Sequence, residues 1–276
     1  MLTSARSRTS SRSRSRRFSR SEPGDERRRG WLFGECFSKT GVGGNSKLKV
    51  EDSKLCLVCV GAGRGERFGG EKLAEDLSGL SVLATSVSAL RTAFPDVPVV
   101  VVVAGIHLEE WRARLQLDHP EAQLVAGGSR RQDSVRAGVE AAVRGGAEVV
   151  AVHDAARPLV NPEDVERVVG ALGDAAGAIL VARPADTVKR IGSDGFVEET
   201  LPREDIRLAQ TPQVFRVAAL LRAWDRAAPE LEWSDESALL EWAGMVVRSV
   251  LARHPNPKLT NNTDLILMRS LQGVQR

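Results

Sequence analysis

The chain has no apolar run approaching the roughly 18–20 residues that a membrane-spanning helix requires, so no membrane partner is expected. It has only three cysteines, Cys36, Cys56 and Cys59, too few for a disulfide framework. Cys56 and Cys59 keep C-x-x-C spacing, but no second pair or nearby histidine completes a zinc site. They sit in LCLVCVGAG, a run that reads as a buried strand, where positions three apart face opposite sides of a sheet. Apolar side chains are nearly missing from the first 30 residues, MLTSARSRTSSRSRSRRFSRSEPGDERRRG. Such a segment cannot bury enough surface to offset its ordering entropy and reads as disordered. Without an apolar h-region it does not read as a secretory signal. Three readings of it stand: a nucleic-acid-binding Ser/Arg tract, an organelle transit peptide, or a dispensable extension ahead of a natural start near Lys54. Residues 1–54 carry 10 Arg and 4 Lys against 6 acids, while the remainder carries 25 basic and 30 acidic residues. The basic character of the chain therefore belongs to the extension and not to the body.

What is present is a regular body. Hydrophobic residues make up 42% of the 276, enough for a sizeable core. We divide the chain into a disordered extension, 1–53, and one folded domain, 54–276. From Lys54 onward strand-like runs (55–62, 97–104, 122–128, 147–155, 176–184) alternate with helical patterns (81–94, 107–116, 130–146, 161–173). Asn161 and Pro162 provide an N-cap and N1 signal for the last of these helices. The alternation predicts an α/β fold with a mostly parallel sheet covered on both faces. At about 185–206 the rhythm breaks into two short strands around SDG, a hairpin signal and a candidate projecting arm. It resumes with a helix at RVAALLRAWDRA, a helix near Ser234, the strand MVVRSVLA and a last helix from about Asn262. Ligands of open α/β sheets bind at the carboxyl ends of the strands, so the informative residues follow each apolar run.

The first such loop is GAGRGERFGGEK, from Gly61 to Lys72. A dinucleotide fingerprint would need glycine where Glu66 stands; a Walker loop would need its lysine one place earlier and a hydroxyl residue in place of Leu73. What remains is a glycine-rich turn with exposed N–H groups and three cations, Arg64, Arg67 and Lys72. After the third strand, GGSRRQDS offers two glycines opening into a helix, with Ser129 and Ser134 as hydrogen-bonding side chains suited to a base or a phosphate. After the fourth, VHDAARP sets Asp154, suited to a metal or a polar substrate, three residues before Arg157, suited to a phosphate. His153, just before Asp154, reads as structural. DTVK (186–189), QTPQ (210–213), SDE (234–236) and NPKLT (256–260) complete the polar loops. Each has a bland reading alone, as hairpin base, turn, N-cap or loop lysine. Together they bring Arg67, Lys72, Arg157 and Lys258 to one sheet edge, with no Ser–His–Asp or Cys–His arrangement. That balance suits an anionic phosphate substrate and electrostatic catalysis without a side-chain nucleophile.

In this order the motifs GAGRGERFGG, GGSRRQDS, VHDAARP, DTVK, QTPQVF, SDES and NPKLT resemble the 2-C-methyl-D-erythritol 4-phosphate cytidylyltransferases over about residues 54–272. The opening loop alone is also similar to those of sugar-phosphate and molybdopterin nucleotidyltransferases. The resemblance implies a three-layer Rossmann-like nucleotidyltransferase fold with a protruding β-arm. It implies transfer of CMP from CTP to the polyol phosphate, with Mg²⁺ held mainly through the CTP phosphates. Arg67, Lys72 and Lys258 are implied as catalytic cations. Ala62, Gly63, Gly65, Gly128, Ser129 and Ser134 are implied around the nucleotide. Asp154, Arg157, Thr187, Arg203, Thr211 and Ser234 are implied around the polyol phosphate. It also implies a homodimer through the arm, with Arg203 reaching the neighbour's substrate, and a cytoplasmic bacterial-type enzyme or, given the extension, a plastid one. Three features depart from the pattern. The path from Arg67 to Lys72 is about two residues short, Ser129 stands for a frequent Asp, and Ser234 for a frequent Thr. Two alternatives share most of these residues: a ribitol-5-phosphate cytidylyltransferase and a nucleotide-binding protein without catalysis.

Overall fold

The computed structural model describes residues 55–63 and 71–274. The Ser/Arg-rich extension, its boundary near residue 53, and Arg64, Gly65 and Arg67 of the first loop lie outside the described residues. Strand β1 (Leu55–Gly61) is followed by the short pair β2 (Asp76–Leu77) and β3 (Leu80–Ser81) and by helix α1 (Val82–Ala93). Then come β4 (Val99–Val103), α2 (Leu108–Asp118), β5 (Gln123–Ala126), α3 (Arg131–Arg144), β6 (Val149–Asp154), α4 (Pro162–Gly170) and β7 (Gly177–Ala182). The arm is β8 (Val188–Ile191) and β9 (Val197–Leu201). It leads into β10 (Leu208–Arg216), α5 (Val217–Arg226), α6 (Glu236–Trp242), β11 (Val247–Leu251) and α7 (Asn262–Val274).

The central sheet has the order β11-β7-β10-β6-β1-β4-β5. All its pairings are parallel except those of β10, which runs antiparallel to both β6 and β7. Strands β1 and β4 are apolar on both sides because helices cover both faces; the five valines of β4 are all buried. One layer packs α1, α2, α4 and α7 on Leu55, Leu57, Cys59, Val99, Val101 and Val103. The other packs α3, α5 and α6 on Cys56, Val58, Val100, Val102 and Phe215. Each fully buried aliphatic side chain contributes about 1.5–3 kcal/mol relative to exposure, which makes the two layers the main stabilising term. As the strand geometry requires, Cys56 and Cys59 belong to opposite layers. Both thiols are buried and burial pushes their pKa values up, that of Cys56 to about 12.

Local sequence signals act where expected. Ser81 Oγ accepts from Ala84 N at 3.1 Å to start α1, and Asn161 Oδ1 accepts from Glu163 N at 2.9 Å ahead of Pro162 to start α4. The observed elements are shorter than the apolar runs at most ends. One difference goes further. The stretch QTPQ, expected as a turn before a helix, is part of the nine-residue strand β10 in the middle of the sheet. Proline is unexpected there because it cannot donate to a ladder; the ladder with β7 shifts register between Ala209 and Gln213, and Pro212 sits in that irregularity. Within the SDE stretch, Asp235 is the N-cap of α6: its Oδ1 accepts from Ala238 N at 3.0 Å.

Candidate active site

The chain visits β4 and β5 on one side of β1 and then returns to lay β6 on the other. That reversal opens a crevice at the carboxyl ends of β1 and β6. A cleft of about 530 Å³ lies there, lined by residues 60–63, 104–106, 127–131 and by Lys72, Ser134, Asp154 and Lys258, among others. Of the implied residues, Ala62, Gly63, Gly128, Ser129, Ser134, Lys72, Asp154 and Lys258 therefore share one cavity. Gly65 and Arg67 fall outside the described residues.

The glycine loop sits close to β1. Gly127 N donates to Val103 O at 2.8 Å, and a Cβ built at Gly127 would lie 2.4 Å from Ala62 Cβ and 2.7 Å from Ser134 Oγ. Only glycine allows this approach. Ser134 is buried and its hydroxyl donates to Arg130 O at 3.2 Å, while Ser129 Oγ donates to Asp133 Oδ2 at 3.3 Å. Asp133 also accepts from Arg130 N at 3.2 Å, so a carboxylate is present beside this loop but serves the helix start.

Asp154 is the electrostatic centre. Lys258 Nζ donates to Asp154 Oδ2 at 2.6 Å, and the Arg131 guanidinium lies 3.5 Å from Asp154 Oδ1. Burial pushes the carboxyl pKa up, but Arg131, Lys258 and Arg157 outweigh it and hold the group at about 2. Both carboxylate oxygens of Asp154 thus face cations. Among the described residues no cluster of His, Cys, Asp or Glu could hold a metal. Lys72 reaches the same region from the other side and donates to Leu259 O at 3.3 Å, next to Lys258.

Behind Asp154 lies a buried relay. Asp154 N donates to Thr211 Oγ1 at 3.0 Å, and Thr211 Oγ1 lies 3.1 Å from His153 Nδ1. His153 Nε2 lies 3.1 Å from Arg157 O, a pure acceptor, so Nε2 carries the proton and Thr211 donates to Nδ1. Burial, the largest influence, pushes the His153 pKa down to about 4, so the ring is neutral and structural, as the sequence suggested. Thr211 can meet Asp154 because β10 runs backwards: its early residues lie beside the carboxyl end of β6. Arg157 is turned toward the loop before Lys258, where Nη1 donates to Asn256 O at 2.7 Å. Asn256 Nδ2 in turn donates to Thr211 O at 2.8 Å.

Of the other implied residues, Thr187, Arg203 and Ser234 are exposed and, among the described residues, do not line the cleft. Thr187 stands just before β8. Arg203 lines a separate depression of about 480 Å³ at the root of the arm with Arg183, Glu204 and Arg207. Four residues that lie in the quoted motifs without an implied role help build the site: Arg131, Glu236, Gln213 and Asn256. Gln213 Nε2 donates to Asp235 Oδ2 at 2.9 Å and so ties QTPQ to SDES. A signal for Arg131 was available, because two arginines at a helix N-terminus oppose the helix dipole and call for a separate reason.

The family model for 2-C-methyl-D-erythritol 4-phosphate cytidylyltransferase matches residues 55–271. The chain belongs to this family. It is 36% identical over 233 residues to the 2-C-methyl-D-erythritol 4-phosphate cytidylyltransferase of Frankia casuarinae, covering 83% of this chain and 85% of that one. It is 37% identical over 228 residues to the bifunctional enzyme IspD/IspF of Rhizobium rhizogenes, covering 79% of this chain and 56% of the relative. The chain thus spans about half the length of its bifunctional relatives. The solved structure of the 2-C-methyl-D-erythritol 4-phosphate cytidylyltransferase from Thermus thermophilus aligns with a TM-score of 0.62 at 30% identity, over 78% of this chain and 97% of that one. The family's Rossmann-like nucleotidyltransferase architecture agrees with the parallel sheet and covering helices found here. Among the described residues no helix is long and apolar enough to cross a membrane.

Proposed function

We propose that the chain transfers CMP from CTP to 2-C-methyl-D-erythritol 4-phosphate, giving 4-diphosphocytidyl-2-C-methyl-D-erythritol and pyrophosphate. The observation that carries this reading is the meeting, in one cleft, of the close-packed Gly127–Ser134 loop with Lys72, Lys258 and the twice-paired Asp154. A phosphate oxygen of the polyol attacks the α-phosphorus of CTP; the bond from that phosphorus to the bridging oxygen breaks, and its electron pair leaves with pyrophosphate. Two anions must meet, so the residues work by charge and position, and no covalent intermediate is needed.

Ala62, Gly63, Gly65 and Gly128 shape the backbone around the nucleotide, with Ser129 and Ser134 beside them. Arg67 and Lys72 act on the α-phosphate. Asp154 holds Lys258 toward the attacking phosphate, with Arg157 and Thr211 fixing the loop behind it. Thr187 and Ser234 are assigned to the polyol, and Arg203, in a homodimer built through the arm, to the phosphate in the partner's cleft. A Mg²⁺ would be held mainly through the triphosphate oxygens, which are the hard oxygen donors this ion prefers. When bound there, the ion neutralises phosphate charge.

The test is pyrophosphate release from CTP with each of two polyol phosphates. Release that depends on methylerythritol phosphate supports the proposal. Release with ribitol 5-phosphate alone would replace it by the ribitol enzyme, and CTP binding without turnover on either would replace it by a binding protein.

A further inference from the structure

Glu236 is a carboxylate with a side chain only 2% exposed, at the first turn of α6. Burial pushes its pKa up and the Arg131 charge opposes that. Arg131 opens α3 from the far side of the cleft. Its Nη1 lies 2.8 Å from Glu236 Oε2, and its Nη2 faces Asp154. The four side chains form an alternating row, Glu236⁻, Arg131⁺, Asp154⁻, Lys258⁺, that crosses from α6 through α3 and β6 to the loop after β11. Arg131 is the member shared by the nucleotide loop and the carboxylate beneath Lys258. Without it, Asp154 would keep only the Lys258 ion pair and the Arg157 charge, and Glu236 would be left as a buried, unpaired charge.

We propose that Arg131, anchored by Glu236, is a positioning residue: it holds Oδ1 of Asp154 so that Oδ2 fixes Lys258 in the cleft. This rests on the transferase reading above. A pair of this kind has a geometric logic. Asp154 has one rotatable carboxylate, and engaging both oxygens from two elements fixes its plane. The fixed plane sets the direction in which Lys258 points. Among the described residues Glu236 contacts the cleft's cations only through Arg131, so its effect on the reaction is expected to pass along the row.

The experiment is a double-mutant cycle on the full chain, with CTP and methylerythritol phosphate, and rates taken per folded enzyme by circular dichroism. Arg131→Gln is expected to lower kcat at least tenfold. The same change in a Lys258→Ala background is expected to lower it less than twofold, because the residue it positions is gone. Glu236→Gln, which keeps Arg131 but loosens its anchor, is expected to lower kcat about threefold and serves where Arg131→Gln does not fold. Arg131→Lys should recover part of the Gln loss by restoring a cation at Asp154. Equal losses in both backgrounds, or an unchanged kcat for folded Arg131→Gln and Glu236→Gln, would overturn the inference. Wild-type protein without activity on these substrates would instead remove the transferase reading itself.

Discussion

Replacing Asp154 by Asn keeps the shape of the side chain and removes its charge. The ordinary carboxyl pKa of 3.8 is lowered to about 2 by Arg131, Lys258 and Arg157 acting against burial. At about 1.4 kcal/mol per unit, the charged form stabilises the fold by roughly 2 kcal/mol. For a body of this size the variant should melt about 4–8 °C lower at pH 7. The pH dependence has a definite sign. The folded pKa is depressed, so the stabilisation is fully present above the unfolded value of 3.8 and is lost as pH falls through about 2. Thermal melts of both proteins at pH 7, 5 and 3 provide the assay. The gap should be the same at pH 7 and 5 and should begin to close at pH 3. Equal melting at pH 7, or a gap that changes between pH 7 and 5, would show that the surrounding cations do not hold this carboxylate as described.

Three further outcomes follow from the same geometry. Lys72→Ala should slow pyrophosphate release at least tenfold, about 1.4 kcal/mol of lost transition-state stabilisation; an unchanged rate in a stopped assay would move the role to another cation. Gly127→Ala should raise KM for CTP more than it lowers melting temperature, because its Cβ would meet Ala62 at 2.4 Å and push the loop into the cleft; an unaltered KM would show that the loop gives way. If Arg203 acts across a dimer, mixing inactive Arg203→Ala and Lys258→Ala chains should restore about a quarter of wild-type activity, since half the dimers are mixed and each has one intact site; no recovery after exchange would place Arg203 in its own chain's site.

Most of the parallel sheet was legible because its strands are continuous apolar runs and its helices alternate with them. The edges of these runs were read too long, since apolar residues continue past the last ladder bond. Strand β10 was not legible. Proline at 212 argues against a central strand, and only the register shift beside it makes the position compatible with the ladder. The cleft residues at strand ends, such as Asp154 and Lys258, could be found from position and charge. Glu236 could not, because an acid in the first turn of a helix already has a sufficient explanation in the helix dipole. Gln213 and Asn256 were hidden for a different reason: their roles depend on β10 running antiparallel, which brings QTPQ beside HDAARP although 57 residues separate Asp154 from Thr211.

The arm occupies residues 183–207, between adjacent strands β7 and β10. In topological terms it is an overgrown hairpin loop. Closing a loop of that length instead of a five-residue turn costs only about 1.4 kcal/mol in chain entropy, because the cost grows with the logarithm of length. The body can therefore carry a long, short or reshaped arm with little change in its own stability. Contacts made by the arm with other molecules are free to vary independently of the fold, whereas a one-residue shift in the strand that follows it would displace Thr211 and every cation aligned by it.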